Sequence, residues 1–377
     1  MANQKSCQIR RGIASDLPQE LVREVLLRLP VKPLLRFKCV CKDWFTIISD
    51  PLFAKAQLQQ VKPISGFICK SSKSGILSYF NLQKGEGEEI DFNVQELLWE
   101  NVILQDSCNG LLLLQEHRYS QQFFVYNPII KWHLKLPQFL TDYKIQNLWS
   151  SLVYDNSNHK YKVVITFKKL RKRVIDPVSY KCGVFTLGDK EGGGGGDGND
   201  YGFWRVLDMT AAYMLVYCKP LSVNGALHWM TYIGTEVGGY ILSMDIASEE
   251  FRVIRSPVHP ILWPFGLLEM KGSLGLSYPV SYDQVDLWVL SDPVKQAWNK
   301  QISINYRILI SESRLDRYFV FYPLVVMENP SPVIIFYYIL KKELIFYNLD
   351  TGEFKVEHKR IGGSSMATVH VNSLIRG

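Results

Sequence analysis

Apolar positions change their period near residue 60. Between residues 16 and 60 they recur every three or four residues, whereas from Ile64 onward they come in short runs broken by Gly, Asn, Asp, Ser and Pro. The first period is that of amphipathic helices, and the second that of strands joined by tight turns. Leu21, Val22, Val25, Leu26 and Leu29 form one helical stripe, with Glu20, Arg23, Glu24 and Arg28 on the other face. Asp16 before Leu17 and Pro18 marks the helix entry, because proline in a first turn loses no hydrogen bond, and Pro30 marks the end. Val31, Leu34, Leu35, Phe37 and Val40 predict a short second helix broken around Pro33. Residues 41–48 predict a third, with Cys41, Trp44, Phe45 and Ile48 along one side, and Asp50-Pro51 opens a short fourth turn carrying Leu52, Phe53 and Ala56.

The longer part repeats a unit. Asn109-Gly110, Asn224-Gly225 and Lys271-Gly272 each sit between two apolar runs, where glycine tolerates the positive φ of a tight hairpin turn. An Asn or Asp then closes the next run, and an aromatic residue a few positions on (Trp132, Phe251, Trp298, Phe354) opens another. Units of about 45 residues in this order predict propeller blades. The spacing is uneven, so one or more degenerate blades fall between Gly110 and Gly225, and the pattern yields no blade count. Kelch blades carry a Gly-Gly pair each, which Gly238-Gly239 resembles here.

Charge sharpens this division. Of a net charge of +7, the first 60 residues carry +5, with ten Lys and Arg against five acids. A nucleic acid or an acidic protein is the matching kind of partner. Nucleic acid is the weaker reading, because no helix presents several Arg, Lys, Asn or Gln on one face for base edges. Some forty residues bury little surface alone, and the excess of large apolar side chains predicts a partner that covers part of them. No run approaches the ~18–20 apolar residues of a membrane helix, and the polar, basic residues 1–12 do not form a secretory signal. Seven scattered cysteines without a C-x-x-C pair read as small buried residues in a reducing compartment, so the expected location is the cytoplasm, the nucleus or both.

The stretch from Leu17 to Trp44 carries a leading Leu-Pro, a helix running into Leu29-Pro30-Val31-Lys32, then Leu34-Leu35-Arg36 and Val40-Cys41-Lys42-Asp43-Trp44. In order and spacing this resembles an F-box. The resemblance implies docking onto the Skp adaptor subunit and, through it, a cullin-based ubiquitin ligase. The matching positions are Leu17, Pro18, Leu21, Leu29, Pro30, Leu34, Val40, Cys41 and Trp44, divided between the core of the helices and the adaptor contact. The β region resembles the F-box-associated domain of plant F-box proteins. That likeness rests on Ser107-Cys108-Asn109-Gly110-Leu111, Val125-Tyr126-Asn127-Pro128, Leu152-Val153-Tyr154-Asp155, Val184-Phe185-Thr186-Leu187 and Val223-Asn224-Gly225-Ala226-Leu227-His228-Trp229, and it fades beyond residue 300. The expected protein is therefore mainly β with an N-terminal helical domain: a flexible stretch over 1–15, a three-helix F-box over 16–60, and a propeller-like associated domain over 64–377. The resemblance implies a substrate receptor with no catalytic residue, cofactor or metal. An adaptor-bound scaffold without a degradation role is the alternative.

Three features invite other readings. The Gly-rich segment 192–198 lacks the Gly-Lys-Ser/Thr ending of a phosphate loop and is expected to be a hairpin tip. The basic run Lys168-Lys169-Leu170-Arg171-Lys172-Arg173 is a solvated loop or, less expected, a nuclear-import signal. His228 lies between Leu227 and Trp229 with no nucleophile or metal partner at a known spacing, and packing is its expected role. An enzyme on a propeller would need convergent acids or histidines at strand starts, and no such set is visible in the sequence. Aromatic turns at Trp149-Ser150 and Trp263-Pro264-Phe265 are weak candidates for target contact.

Overall fold

The computed structural model describes residues 18–60, 64, 66–70, 77–82, 86–89, 102–117, 120–139, 145–169, 180–188, 203–209, 214–215, 219–233, 236–258, 266–281, 283–309, 321–327, 331–338, 343–357 and 367–376. Four helices open it, not three: α1 Gln19–Leu27, α2 Val31–Phe37, α3 Lys42–Ser49 and α4 Pro51–Gln60. The expected fourth turn is a ten-residue helix. Asp50 starts it by accepting the Leu52 N–H at 2.9 Å, which satisfies one of the free donors of a helix N-terminus. Pro33 does not break α2, because it falls within the first turn, where an N–H has no carbonyl to reach. Pro30 is the N-cap of α2, and α1 has already ended at Leu27. Cys41 caps α3, its Sγ accepting the Trp44 N–H at 3.5 Å.

Six blades follow, each a twisted antiparallel sheet. Blade II (Ile103–Cys108, Leu111–Gln115, Phe123–Asn127, Trp132–Lys135) and blade III (Ile145–Asp155, Lys160–Lys169, Tyr180–Thr186, Arg205–Asp208) come next to the helices in space. Blade IV (Leu221–Val223, Ala226–Ile233, Glu236–Asp245, Phe251–Arg255) adds a short piece, Met214–Leu215, to its inner edge. Blades V (Gly266–Met270, Ser273–Pro279, Gln284–Asp292, Ala297–Asn305) and VI (Phe321–Met327, Val333–Tyr338, Glu343–Asn348, Phe354–Glu357) complete the run. Blade I takes Gly66–Lys70, Leu77–Asn81 and Glu86–Glu89 from the start of the β region and its inner strand, Ala367–His370, from the end. The ring is therefore closed by hydrogen bonds between strands some 300 residues apart, which removes two exposed sheet edges. Sequence patterning had no means of showing this closure.

Hairpin chemistry sets the blade repeat. Asn109, Asn224 and Lys271 all have φ between 51° and 55°, and Gly110, Gly225 and Gly272 follow with positive φ, the geometry of two-residue hairpin turns. A second turn recurs in five blades. Asn127, Asp155, Asp245, Asp292 and Asn348 each accept two backbone N–H groups, from residues two and three positions ahead. The residue four positions on is left-handed each time: Lys131, His159, Glu249, Gln296 and Gly352. Blade III is a degenerate blade expected between Gly110 and Gly225, lacking the Gly signal because it uses this longer turn at its first hairpin, where blades II and IV use Asn-Gly.

Each seam between blades has its own apolar cluster. Phe67 and Tyr337 fill that between I and VI, Tyr79 and Tyr126 that between I and II, and Trp229 and Val184 that between III and IV. The seam between II and III differs. Its cluster of Leu111, Phe123, Phe139, Val163 and Phe185 is continuous with Leu26, Leu34, Ile48 and Phe53 of the helices and with Leu374 and Ile375. The small helical domain thus completes its core on the propeller, which answers part of the deficit expected for forty residues.

Candidate functional site

The helices still leave apolar surface uncovered. Leu21, Val25, Val40, Phe45 and Leu52 are between 54% and 67% exposed, while Leu26, Leu34, Ile48 and Phe53 are essentially buried. Leu21 and Val25 are one helical turn apart on α1 and share a face. Lys38 lies over the Phe45 ring at 5.8 Å, so its cation rims the uncovered area. Phe37 and Trp44 meet edge to face at 5.5 Å, and both pack partly onto the core. Of the positions singled out in the sequence, Pro18, Leu21, Pro30, Val40 and Cys41 are exposed, and Leu29 and Trp44 are half-buried. Leu34 is fully buried and belongs to the internal core, not to a contact surface. Leu17 lies outside the described residues. Val25, Phe45 and Leu52, apolar positions outside the matched motif set, are exposed as well. A three-to-four-residue period marks an apolar stripe but cannot say whether this chain or a partner covers it.

Chain direction fixes which end of the propeller the helices occupy. In a four-stranded blade the first and third turns lie at one end, and the second turn and the link to the next blade lie at the other. The helices face Asn109 and the segment Ile129, Ile130, Lys131 of blade II, and Tyr154, His159, Tyr161 and Leu187 of blade III, all at the first-and-third-turn end. The C-terminal segment ties this junction together. Asn127 Nδ2 donates to Ser373 O (3.1 Å) and Ile375 O (2.8 Å), and Ser373 Oγ donates to Asn109 O (2.6 Å). The opposite end bears the second turns and the inter-blade links. There Val280 and Ile308 are exposed apolar residues on blade V and its link to blade VI, and the Tyr306 N–H donates to Asp283 O (2.8 Å) between them.

Polar groups invisible as a set in the sequence converge at the inner strands. The Ser107 and Leu152 N–H groups donate to Asp106, whose Oδ1 also pairs with Lys219 Nζ at 2.6 Å. Ser107 Oγ lies 2.9 Å from His370 Nδ1, and burial pushes this imidazole down to about 3, so it is neutral. These contacts join the inner strands of blades I, II and III. Between blades III and IV, buried Lys162 Nζ pairs with Asp155 (3.2 Å) and Glu249 (3.0 Å) and donates to Ile246 O. Burial raises the Asp155 pKa, but hydrogen bonds from Asn158 and Lys162 outweigh it and hold the carboxyl below its usual range. Among the described residues no cluster of three or more His, Cys, Asp or Glu could hold a metal ion, and no helix is long and apolar enough to cross a membrane.

Residues 66–371 match the family model of the F-box associated beta propeller domain, and residues 14–55 match that of the F-box domain. The chain is an F-box protein with an F-box-associated propeller. The first match runs well past residue 300, where the sequence resemblance had faded, and it spans blades V and VI. Relatives from Arabidopsis thaliana agree. The chain is 25% identical to an F-box protein over 81% of this chain and 79% of that one, and 25% identical to an F-box/kelch-repeat protein over 77% and 79%. A third, an F-box/LRR-repeat/kelch-repeat protein, is 27% identical over 78% of each.

Other expectations for this F-box protein resolve as follows. Cys39 and Cys41 are exposed, contrary to the expectation of burial, because they flank the α2–α3 corner; Cys182 is buried. His228 is buried in blade IV, and burial, with Arg252 nearby, lowers its pKa to about 4 despite an opposing backbone hydrogen bond at Val223. Packing is its role in this fold. Trp149 is a half-buried strand residue of blade III. Lys168 and Lys169 end the second strand of blade III instead of belonging to a loop. Residues 170–173, 192–198 and 263–265 lie outside the described residues.

Proposed function

We propose that this F-box protein is the substrate-receptor subunit of a Skp–cullin–F-box ubiquitin ligase, acting without catalytic residues of its own. The observation that carries the reading is the set of exposed apolar side chains, Leu21, Val25, Val40, Phe45 and Leu52, on helices whose other apolar residues are buried or half-buried. A solvent-facing set of this size on a domain of four short helices suits a permanent protein partner. The Skp adaptor would cover it, with Pro18, Leu29, Pro30, Cys41 and Trp44 at its margin. A target would be held at the far end of the propeller, where second turns and inter-blade links cluster and where Val280 and Ile308 offer an apolar foothold. Mechanism then reduces to proximity: a rigid ring holds the target's lysines at high effective concentration near the ubiquitin-charged enzyme.

Co-purification of the full chain with a Skp adaptor tests this, beside a Leu21→Asp/Val25→Asp/Phe45→Asp variant. These side chains point to solvent, so the variant should keep the parent's unfolding midpoint while losing capture. Capture of parent and folded variant alike would refute the assignment of that set. Deleting the helices is the poorer control, since it would strip the core continuous with the II–III seam of seven of its 22 buried residues.

A further inference from the structure

A cleft of about 1180 Å³ runs between α2–α4 and the ends of blades II and III, larger than the usual ~300–1,000 Å³ of a small-molecule site. Its walls include Leu35, Ile48, Leu58, Ile129, Ile130 and Leu374, with Tyr154 and Tyr161 beside them. Among the described residues the charged ones that line it carry one sign. Lys38 and Lys55 come from the helices, Lys131 from blade II, and Arg376 from the C-terminal segment, with Lys160 and His159 of blade III beside them. Lys38 and Arg376 are close enough that, after burial, Arg376 is the next cause lowering the Lys38 pKa. Lys38, Lys55, Lys131 and Arg376, gathered at one cleft, repel one another, and an anion from outside would relieve that cost.

We propose that this cleft binds an extended acidic peptide segment in which carboxylates alternate with large apolar side chains. The cations come from three separate parts of the chain around apolar walls, a distribution that suits a strand or short helix with two kinds of side chain. A compact polyanion such as tripolyphosphate would call for donors gathered at one polar point, and here the greater part of the lining is hydrocarbon. Leu52 lines the cleft and is also one of the exposed apolar side chains of the helices. The site lies at the opposite end from the proposed target surface and stands whether or not the receptor reading holds.

Fluorescence anisotropy of a labelled peptide of about twelve residues alternating Glu and Leu, titrated with the full chain, tests the proposal. The parent should bind, and Lys55→Glu/Lys131→Glu/Arg376→Glu, all at exposed positions, should weaken binding at least about tenfold. Lys271→Glu/Lys295→Glu on blade V should leave it unchanged. Glutamine versions of the three cleft substitutions serve if the charge-reversed chain fails to fold. Equal loss in the blade V control, or equal affinity for a Glu–Ser peptide of the same length, would mean diffuse electrostatic attraction and overturn the proposal. Full displacement by equimolar tripolyphosphate would overturn it in favour of a compact anion. Binding seen only after Asp189, Glu191, Asp197 and Asp200 are changed to Asn would assign the cations to the chain's own acids, again overturning it.

Discussion

Acidification should loosen this propeller well before its carboxylates titrate. His228 and His370 are almost fully buried, and His370 Nε2 and His228 Nδ1 have no hydrogen-bond partner among the described residues. Burial depresses both, His228 to about 4 and His370 to about 3, against about 6.5 for a free imidazole. Between those values the unfolded chain binds more protons than the folded one. Stability is therefore complete above about pH 6.5 and is lost as pH falls toward the folded values. Integrating the linkage from about pH 7.5 to about pH 5 gives about 2 kcal/mol for each ring and about 4 kcal/mol together. That is a large part of the ~5–15 kcal/mol by which domains are usually stable. Urea unfolding followed by tryptophan fluorescence at the two pH values measures it. His228→Leu/His370→Leu should show less than about 1 kcal/mol of the same pH effect, whatever its stability at neutral pH. Equal acid loss in the parent and the double variant would show that other groups carry it and refute the reasoning.

Two further substitutions test the turns and the buried ion network. Gly110→Ala should cost several kcal/mol, because a Cβ there would sit 2.1 Å from Ser373 Oγ and 2.8 Å from Val371 O at a φ of +85°. Gly272→Ala, with positive φ but nothing within 4 Å, should cost about 1–2 kcal/mol. Equal unfolding midpoints for the two would deny the C-terminal segment its place on blade II. Lys162→Met should lose about 3–5 kcal/mol by stranding Asp155 and Glu249 between blades III and IV, read as a urea midpoint shift without a change in slope.

Much of this molecule is legible where local chemistry decides. Asn109-Gly110, Asn224-Gly225 and Lys271-Gly272 announce hairpins because few residue pairs take two consecutive positive φ angles. The helices are legible from their stripe and the F-box motif from its order. What escapes is non-local. The pairing of Gly66 with His370 leaves no trace in either segment alone, and the convergence of Asp106, Ser107, Lys219 and His370 follows from that ring. The direction of Val25 and Phe45 escapes for another reason: a partner's surface and a core look alike to an amphipathic period.

Ring closure by residues 367–370 also sets a timetable for synthesis. Until that strand has left the ribosome, blade I lacks its inner edge, and Leu374 and Ile375 are missing from the junction beneath the helices. The first two-thirds of the chain would emerge as paired but unringed sheets with open edges and exposed apolar seams, the kind of intermediate that sticks to its neighbours. A chain truncated before these residues would therefore be aggregation-prone and not merely shortened. Ring closure should be a late event of nascent-chain folding, following the pairing of the individual blades.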